Sequence, residues 1–489
     1  MISRKIILCL VLLLLAAMPV SAQWLKGQAV TYADFGYVHS VTSSMSHVYF
    51  ATSSGIIRYD RIGMSWEEPL TGADGMFDEI ATRIWVDRFD DNLYAATDMG
   101  YYEHNKLFDR WYQISELPEI DQADRHLSAP DFLLPEFNAN YMGGGRFVDT
   151  DGRSYTTTDI VDDNTGNLWI GTWGFGAAIA RTSSGLMNFL PYGLLQSRVN
   201  VIYSDDSLLW VSGATMNAWR TGLTAFNPEK NEFSYVESGL HRGFPDVDVN
   251  CLEADERSLY VGTPRGMYVI ERSTWYAKGP VDRRRGLPDD NVLSMCRLGD
   301  SLFVGTASGL SMISLATDSV YQIRTNTFLN QIIYDLEAAG DDLWIAASTG
   351  AYRFSLKTGK LHQFNDPDLV LFSRVYDIEY FDNEVWFSSD GGVVSLDLET
   401  GETEPYREAS RRLDSRALAV NEWAVAMASD DGMTMIFFDR EKPYSREFTT
   451  SDGLPSDEVY SLLFDEEYIW IGTDRGLTRF LWDNPERVD

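Results

Sequence analysis

Short runs of consecutive apolar and aromatic residues recur along the chain, each broken by a Thr/Ser-x-x-Gly step and resumed directly after it. The last copy is "IWIGTDRGLTRF", residues 469–480, preceded by a first run at 459–464 and a polar turn, Asp465-Glu466-Glu467. Such runs are too short for helices and are spaced by turn residues, so they predict strands joined by tight hairpins. Glycine supplies the positive φ that other residues resist at the break. The inner runs are apolar at successive positions rather than alternating, so both faces of each predicted sheet must be covered.

The pattern repeats ten times. It reads "VYFATSSGI" at Val48, "LYAATDMGY" at Leu93, "LYVGTPRGM" at Leu259, "LFVGTASGL" at Leu302, "LWIAASTGA" at Leu343 and "VWFSSDGGV" at Val385, with looser copies at Leu168, Leu209 and Val425. The closing glycines are Gly55, Gly100, Gly176, Gly222, Gly266, Gly309, Gly350, Gly392, Gly432 and Gly476, separated by 45, 76, 46, 44, 43, 41, 42, 40 and 44 residues. Periods of roughly 40–45 residues belong to propellers, whereas solenoid repeats are usually shorter. Small twisted sheets stacked face to face around an axis bury both faces of every sheet. The expected fold is therefore all-β, a β-propeller with a single closed ring of about ten four-stranded blades, or eight or nine should degenerate units not complete a sheet. The aromatic second position (Tyr49, Tyr94, Trp169, Trp210, Tyr260, Phe303, Trp344, Trp386, Trp470) is expected to wedge between blades as core, with Ala426 marking a weaker blade. The segment "QAVTYADFG" from Gln28 is a spare outer strand, expected to complete the last blade and remove exposed sheet edges.

Composition adds direction. Residues 1–22 carry a basic start, an apolar run from Ile6 to Met18 and a small-x-small end at Ala22, the pattern of a secretory signal peptide; residues 23–489 form the expected propeller. Loss of Arg4 and Lys5 with that leader takes the formal charge from −33 to −35. So acidic a chain argues against nucleic acid and anionic membrane surfaces as partners, and no later stretch is long and apolar enough to span a bilayer. Cys251 and Cys296 alone follow the leader, so no disulfide framework holds the fold, and buried free thiols are expected.

At its Gly-Thr-x-x-Gly-Leu core, in "LWIGTWG", "IWIGTDRGLTRF" and "SDGLPSDEV", the sequence resembles the propeller repeats of extracytoplasmic sensor regions in bacterial two-component regulators. The resemblance implies a periplasmic or surface propeller that recognises a ligand, often a glycan. The chain departs from those regulators in showing no membrane span, kinase or receiver segment after the propeller.

Two irregularities suggest a binding face. The 76-residue interval places an insertion at about 116–153, and the fourth unit carries a long loop at 214–221; both are expected on the face that bears the Thr-x-x-Gly loops. Their aromatic and cationic residues, Phe137, Tyr141, Arg146, Trp219 and Arg220, together with Trp173 and Phe175 of the third unit, suit a sugar or peptide ligand. Arg283, Arg284 and Arg285 are candidates for receiving an anionic group. No catalytic constellation is legible: the histidines are scattered, "DTDGR" at Asp149 lacks the ligands of a calcium loop, and "LKTGK" at Leu356 and "LETGE" at Leu398 read as ordinary hairpins. The expected function is non-enzymatic, without metal or cofactor: an exported module recognising a glycan, a peptide or an envelope protein. A glycan-active enzyme with carboxylates around the axial channel is the alternative, and a scaffold subunit of an envelope or secretion assembly is a further one.

Overall fold

The computed structural model describes residues 29–482, apart from 73–79, 88, 107–109, 121–124, 137–138, 206, 215–219, 240–242, 325–329, 365–370, 372–373, 407–416, 430 and 439–442. The leader reading of residues 1–22 falls outside them. Every predicted unit forms a sheet, ten in all. Nine are four-stranded and antiparallel, and the third is enlarged by the insertion. We number the sheets by chain order: first 38–66, second 83–114, third 125–190, fourth 201–237, fifth 251–281, sixth 292–323, seventh 333–364, eighth 375–406, ninth 418–448, tenth 459–481. The N-terminal strand Ala29–Tyr32 pairs antiparallel with Gly476–Leu481 as the outer strand of the tenth sheet, so the two ends of the described chain meet in one blade. No helix among the described residues is long and apolar enough to cross a membrane.

The repeat's side chains explain themselves in the hairpins. Thr473 Oγ1 donates to the Gly476 carbonyl at 3.1 Å and accepts from Arg475 N–H at 3.1 Å. Thr52, Thr263, Thr306 and Ser389 repeat both bonds. The hydroxyl thus satisfies backbone groups that a buried turn would otherwise orphan. Gly476 sits at φ 145°, where a Cβ would also run into the Tyr32 carbonyl. The polar atom of the second-position aromatic has its own partner in the preceding turn: Trp169 Nε1 donates to Asp163 (3.0 Å), Trp210 Nε1 to Asp205 (3.2 Å), Trp470 Nε1 to Asp465 (3.0 Å) and Tyr260 Oη to Asp255 (2.8 Å). Replacing Asp465 by Ala should destabilise the chain by about 1–3 kcal/mol, because a buried indole N–H loses its acceptor. Thermal unfolding of D465A measures this, and an unchanged midpoint would reject it.

Closure differs from the single ten-bladed ring expected. The innermost strands of the fourth to tenth sheets follow one another, and the tenth then packs on the fourth, closing a ring of seven. Val199 N–H donates to Thr473 O at 2.8 Å, and Ser461 Oγ donates to Val199 O at 3.2 Å across that seam. The first three sheets stand outside the ring as an arc in the order third, first, second. Asp159 of the third sheet accepts from Val41 N–H of the first (2.9 Å), and Ser40 of the first accepts from Ile84 N–H of the second (3.4 Å). The long interval after the second sheet carries the chain back across the first, to its other side.

The insertion does structural work there. Its hairpin Ala139–Gly143 and Arg146–Asp149 pairs onto the inner strand of the third sheet, and Leu134–Pro135 pairs onto its outer strand. Leu133 and Phe147 are buried against Tyr155, Ile160, Leu168, Ile170 and Met187. The face of the third sheet that a further blade would cover is covered instead by described residues of the insertion, among them Leu127, Leu133, Tyr141 and Phe147. Arc and ring share one core, in which Phe35, Val38, Phe50 and Trp169 of the arc meet Tyr192, Val199, Leu209 and Trp470.

Candidate functional site

The sequence-predicted residues fall into three groups. Phe137 and Trp219 lie outside the described residues. Phe175 and Arg220 are brought together at the seam between arc and ring, where they line one small cavity with Asp34, Tyr192 and Tyr235. Arg220 is committed there: Nε and Nη2 each donate to Glu237 at 2.9 Å, and Arg153 of the insertion donates to the same carboxylate at 3.1 Å. Burial pushes the Asp34 carboxyl up to about 6. Tilted and edge-on ring contacts hold the aromatics: Phe175 packs on Tyr155 and Phe189, while Trp173 meets Tyr37 and His39 edge-on at 5.1 and 5.3 Å. Tyr141 donates its hydroxyl to Pro130 O and accepts from Gly145 N–H. The geometry of this group is that of a joint. Arg146 and the Arg283–Arg285 turn are exposed. In the turn, Asp282 accepts from Arg284 and Arg285 N–H and Asp290 from Arg283 N–H, leaving three guanidinium groups directed from a between-blade loop.

The carboxylates of the ring channel converge, as sequence could not specify. On the sixth, eighth and ninth sheets, an acidic residue of the preceding blade caps an N–H group on the free inner edge of the first strand. Glu253 accepts from Arg297 N–H (3.0 Å), Asp335 from Ile378 N–H (3.1 Å) and Asp377 from Leu418 N–H (2.5 Å). Burial raises Asp335, and raises Asp377 further with repulsion from Asp335 and Glu379; the two aspartates are hydrogen-bonded to each other. Burial and neighbouring carboxylates push Glu337 up to about 9 and Glu379 up to about 8. Cys251 and Cys296 are free thiols on the same inner strands, and burial raises both.

A large open site lies between the outer parts of the seventh and eighth sheets, a groove of about 610 Å³, within the usual range for a ligand pocket. Its construction follows from register. Trp344, Arg353 and His362 stand opposite one another across three strands, and Asp342, Ser355 and Lys360 do the same two residues along. Both rows therefore point to one face, and that face looks toward the eighth sheet. Beneath the groove, buried Trp344 and Phe387 pack with half-buried Phe364 at centroid distances of 5.5–5.7 Å. The Arg353 guanidinium lies 5.6 Å over the Trp344 ring and pairs with Asp342. Lys360, His362 and Gln363 are exposed along the outer strand. The opposite wall is Leu396, Asp397, Leu398 and Gly401. Asp397 accepts from Glu399 and Thr400 N–H at 2.7 and 3.0 Å, and these bonds hold its carboxyl below the usual range.

Sequence reasoning missed this groove. The "LKTGK" and "LETGE" turns read as ordinary hairpins are its rim. One usable signal was available: the turn aspartate that serves Trp470 is Ala339 in the seventh sheet. The Trp344 indole N–H, buried in the groove floor, accordingly has no partner among the described residues.

No protein-family model and no curated protein matches the chain. Solved structures do match. The chain is similar to PorZ of Porphyromonas gingivalis, described as an essential bacterial surface component of the type-IX secretion system, at TM-score 0.62 and 12% identity over 93% of this chain and 87% of that one. It is similar to the extracellular domain of a putative one-component system from B. thetaiotaomicron (TM-score 0.45, 14% identity, 92% of this chain and 71% of that one). It is also similar to virginiamycin B lyase from Staphylococcus aureus (TM-score 0.47, 12% identity, 58% and 94%). At these identities the likeness is one of fold.

Proposed function

We propose that this chain is an exported, non-enzymatic recognition module of the cell envelope that holds a glycan or peptide in the groove between its seventh and eighth sheets. The observation that carries the reading is the groove itself: a cavity of ligand size in which half-buried Phe364 and Leu398 offer apolar surface, with Lys360, His362 and Asp397 placed to orient polar groups. Export is supported by the leader-like residues 1–22 and by the resemblance to extracytoplasmic propellers. An alternative in which channel carboxylates perform glycan chemistry has Glu337 and Glu379 in its favour, since a carboxyl raised toward neutrality can act as a general acid. Against it, Glu253, Asp335 and Asp377 are occupied in capping backbone N–H groups.

The test is a panel of oligosaccharides and peptides assayed for both binding and product release. Binding without turnover is expected. The K360A/H362A double variant should lose at least about tenfold in affinity, a cost of about 1.4 kcal/mol, with an unchanged melting temperature. Undiminished binding by that variant would remove the groove from consideration, and product release would favour the enzyme.

A further inference from the structure

One wall of the groove is the outermost strand of the seventh sheet, Lys360–Phe364, and among the described residues no strand pairs with its free edge. Register decides which backbone groups that edge presents. The seventh and eighth sheets share a hairpin turn: Gly359 N–H donates to Ser355 O and Gly401 N–H to Asp397 O, both at 2.8 Å. In the eighth, Asp397 N–H also donates to Glu402 O at 3.0 Å, so the pair flanking the turn is hydrogen-bonded inward. Ser355 and Lys360 are that pair in the seventh. Bonding alternates along an antiparallel ladder, so Lys360, His362 and Phe364 bond to the sheet while Leu361 and Gln363 turn their N–H and C=O groups outward.

The chain fills such edges itself. The outer strand of the third sheet, Leu186–Leu190, follows the same turn, with Gly185 N–H donating to Arg181 O at 2.8 Å. On its edge lies Leu134–Pro135, where Leu134 N–H donates to Gly185 O at 2.8 Å and Glu136 N–H to Met187 O at 3.0 Å. Met187 and Leu361 each stand two residues after the turn glycine, so the acceptor used in the third sheet is the one left open in the seventh. The tenth sheet likewise borrows its outer strand, Ala29–Tyr32. Proline interrupts the outer strands of the fifth and eighth sheets, at Pro280 and Pro405, where it has no N–H to give. Lys360–Phe364 contains no proline and borders the groove. Gln363 lines that groove although alternation turns its side chain from the eighth sheet, so the space reaches round to the strand's edge.

We propose that the groove holds an extended peptide, added to Lys360–Phe364 as a fifth strand of the seventh sheet. The inference rests on the groove being the binding site and selects the peptide over the glycan. Backbone donors and acceptors repeating at strand spacing match another extended backbone, and a sugar ring does not reproduce that spacing. Charge does not select the occupant: Arg353 is paired with Asp342, and Lys360 faces Asp397 on the opposite wall. Affinity therefore comes from the backbone groups, with half-buried Phe364 and Leu398 beside the added side chains.

The test selects a random heptapeptide library on the purified full chain, then methylates each backbone nitrogen of the tightest peptide in turn. Affinity should fall at least about tenfold at alternate positions and stay within about threefold between them, the period-two signature of a strand bonded along one edge. Q363P, which removes an outward N–H at an exposed position, should also lose at least about tenfold while melting within about 2 °C of the wild type. Q363A should bind within about twofold, because the backbone group remains. A library without a binder, methylation effects lacking the alternation, or full binding by Q363P would overturn the added strand. An oligosaccharide whose binding K360A/H362A weakens and Q363P leaves alone would overturn it too, while keeping the groove as the site. Peptide binding untouched by both variants would remove the groove as well. A concentration-dependent dimer that Q363P abolishes would give the edge to a second copy of the chain instead.

Discussion

A chain that begins at Ala33 should lose the cooperative unfolding transition of the ring. The strand Ala29–Tyr32 is the outer strand of the tenth sheet, although some 450 residues separate it from its partner: Thr31 Oγ1 and Thr478 Oγ1 are 2.9 Å apart with a sequence separation of 447. All four of its residues are buried. Tyr32, 1% exposed, lies 4.6 Å from the Phe226 ring of the fourth sheet and 6.5 Å from Trp470 of the tenth, so it stands at the seam where the ring of seven closes. Without the strand, Gly476–Leu481 becomes an unpaired edge, and Leu477, Phe480 and Phe448 lose cover. The expected loss exceeds about 5 kcal/mol, a large share of a typical domain's stability. Calorimetry of the truncated chain should show a broadened transition at least about 10 °C lower, and a tendency to aggregate. The point variant Y32A keeps the backbone pairing and should cost about 3–5 kcal/mol, the usual price of removing a buried aromatic. A truncated chain that melts like the parent would mean that the seam is held without its borrowed strand.

Much of this was legible in the residues, and the limits have physical causes. The ten units, their four strands, the glycine turns and the returning N-terminal strand follow from local periodicity, because hairpin geometry is fixed within about 40 residues of chain. Which sheets are neighbours is not local. The intervals between closing glycines look alike for a blade that continues the ring, as at Gly266, and for one that opens it, as at Gly222. Only the 76-residue interval signalled a break, and its residues were read as a ligand loop. The apolar set Leu127, Leu133 and Phe147 within that interval was the better guide, since residues destined for a mobile surface loop have no reason to carry it.

The candidate site was less legible, for a related reason. Arg220 and Phe175 stood out as chemically distinctive, yet distinctiveness does not tell a ligand contact from a joint; Glu237, their neighbour in space, gave no sign in sequence of facing two arginines. The groove, conversely, is assembled from residues that look ordinary singly. Lys360, His362 and Phe364 become a wall only because their strand is the outer one and because the eighth sheet's outer strand, Thr403–Tyr406, is short.

Raising the pH from 5 to 9 should lower the melting temperature, and the channel should account for much of the fall. Glu337 and Glu379 have folded-state values of about 9 and about 8, against an ordinary 4.5, because they are buried beside Asp335 and, for Glu337, beside Glu379 and Glu253 as well. An acid raised in the folded state keeps its proton when the unfolded chain has already lost one. Its contribution is therefore fully present below about 4.5 and is lost as pH climbs through about 8 and about 9. His47 acts in the same direction: hydrogen bonds that its ring donates to Asp91 and Glu67 raise it to about 9, so its support also fades toward alkaline pH. Asp91 acts oppositely at the acid end. Burial would raise it, but His47, Ser44, Ser46 and Lys106 hold it well below the usual range, and its contribution disappears as pH falls below about 4. The two trends place the stability maximum in mildly acid solution. E337Q and E379Q separate the channel from His47, which is common to every variant. Each amide keeps the shape of the protonated acid and cannot ionise. The double variant should therefore melt within about 1 °C of the wild type at pH 5 but several degrees above it at pH 9, at roughly 2–4 °C per kcal/mol. Parallel melting curves for variant and wild type across that range would show that these carboxyls ionise in the folded ring as freely as they do in water.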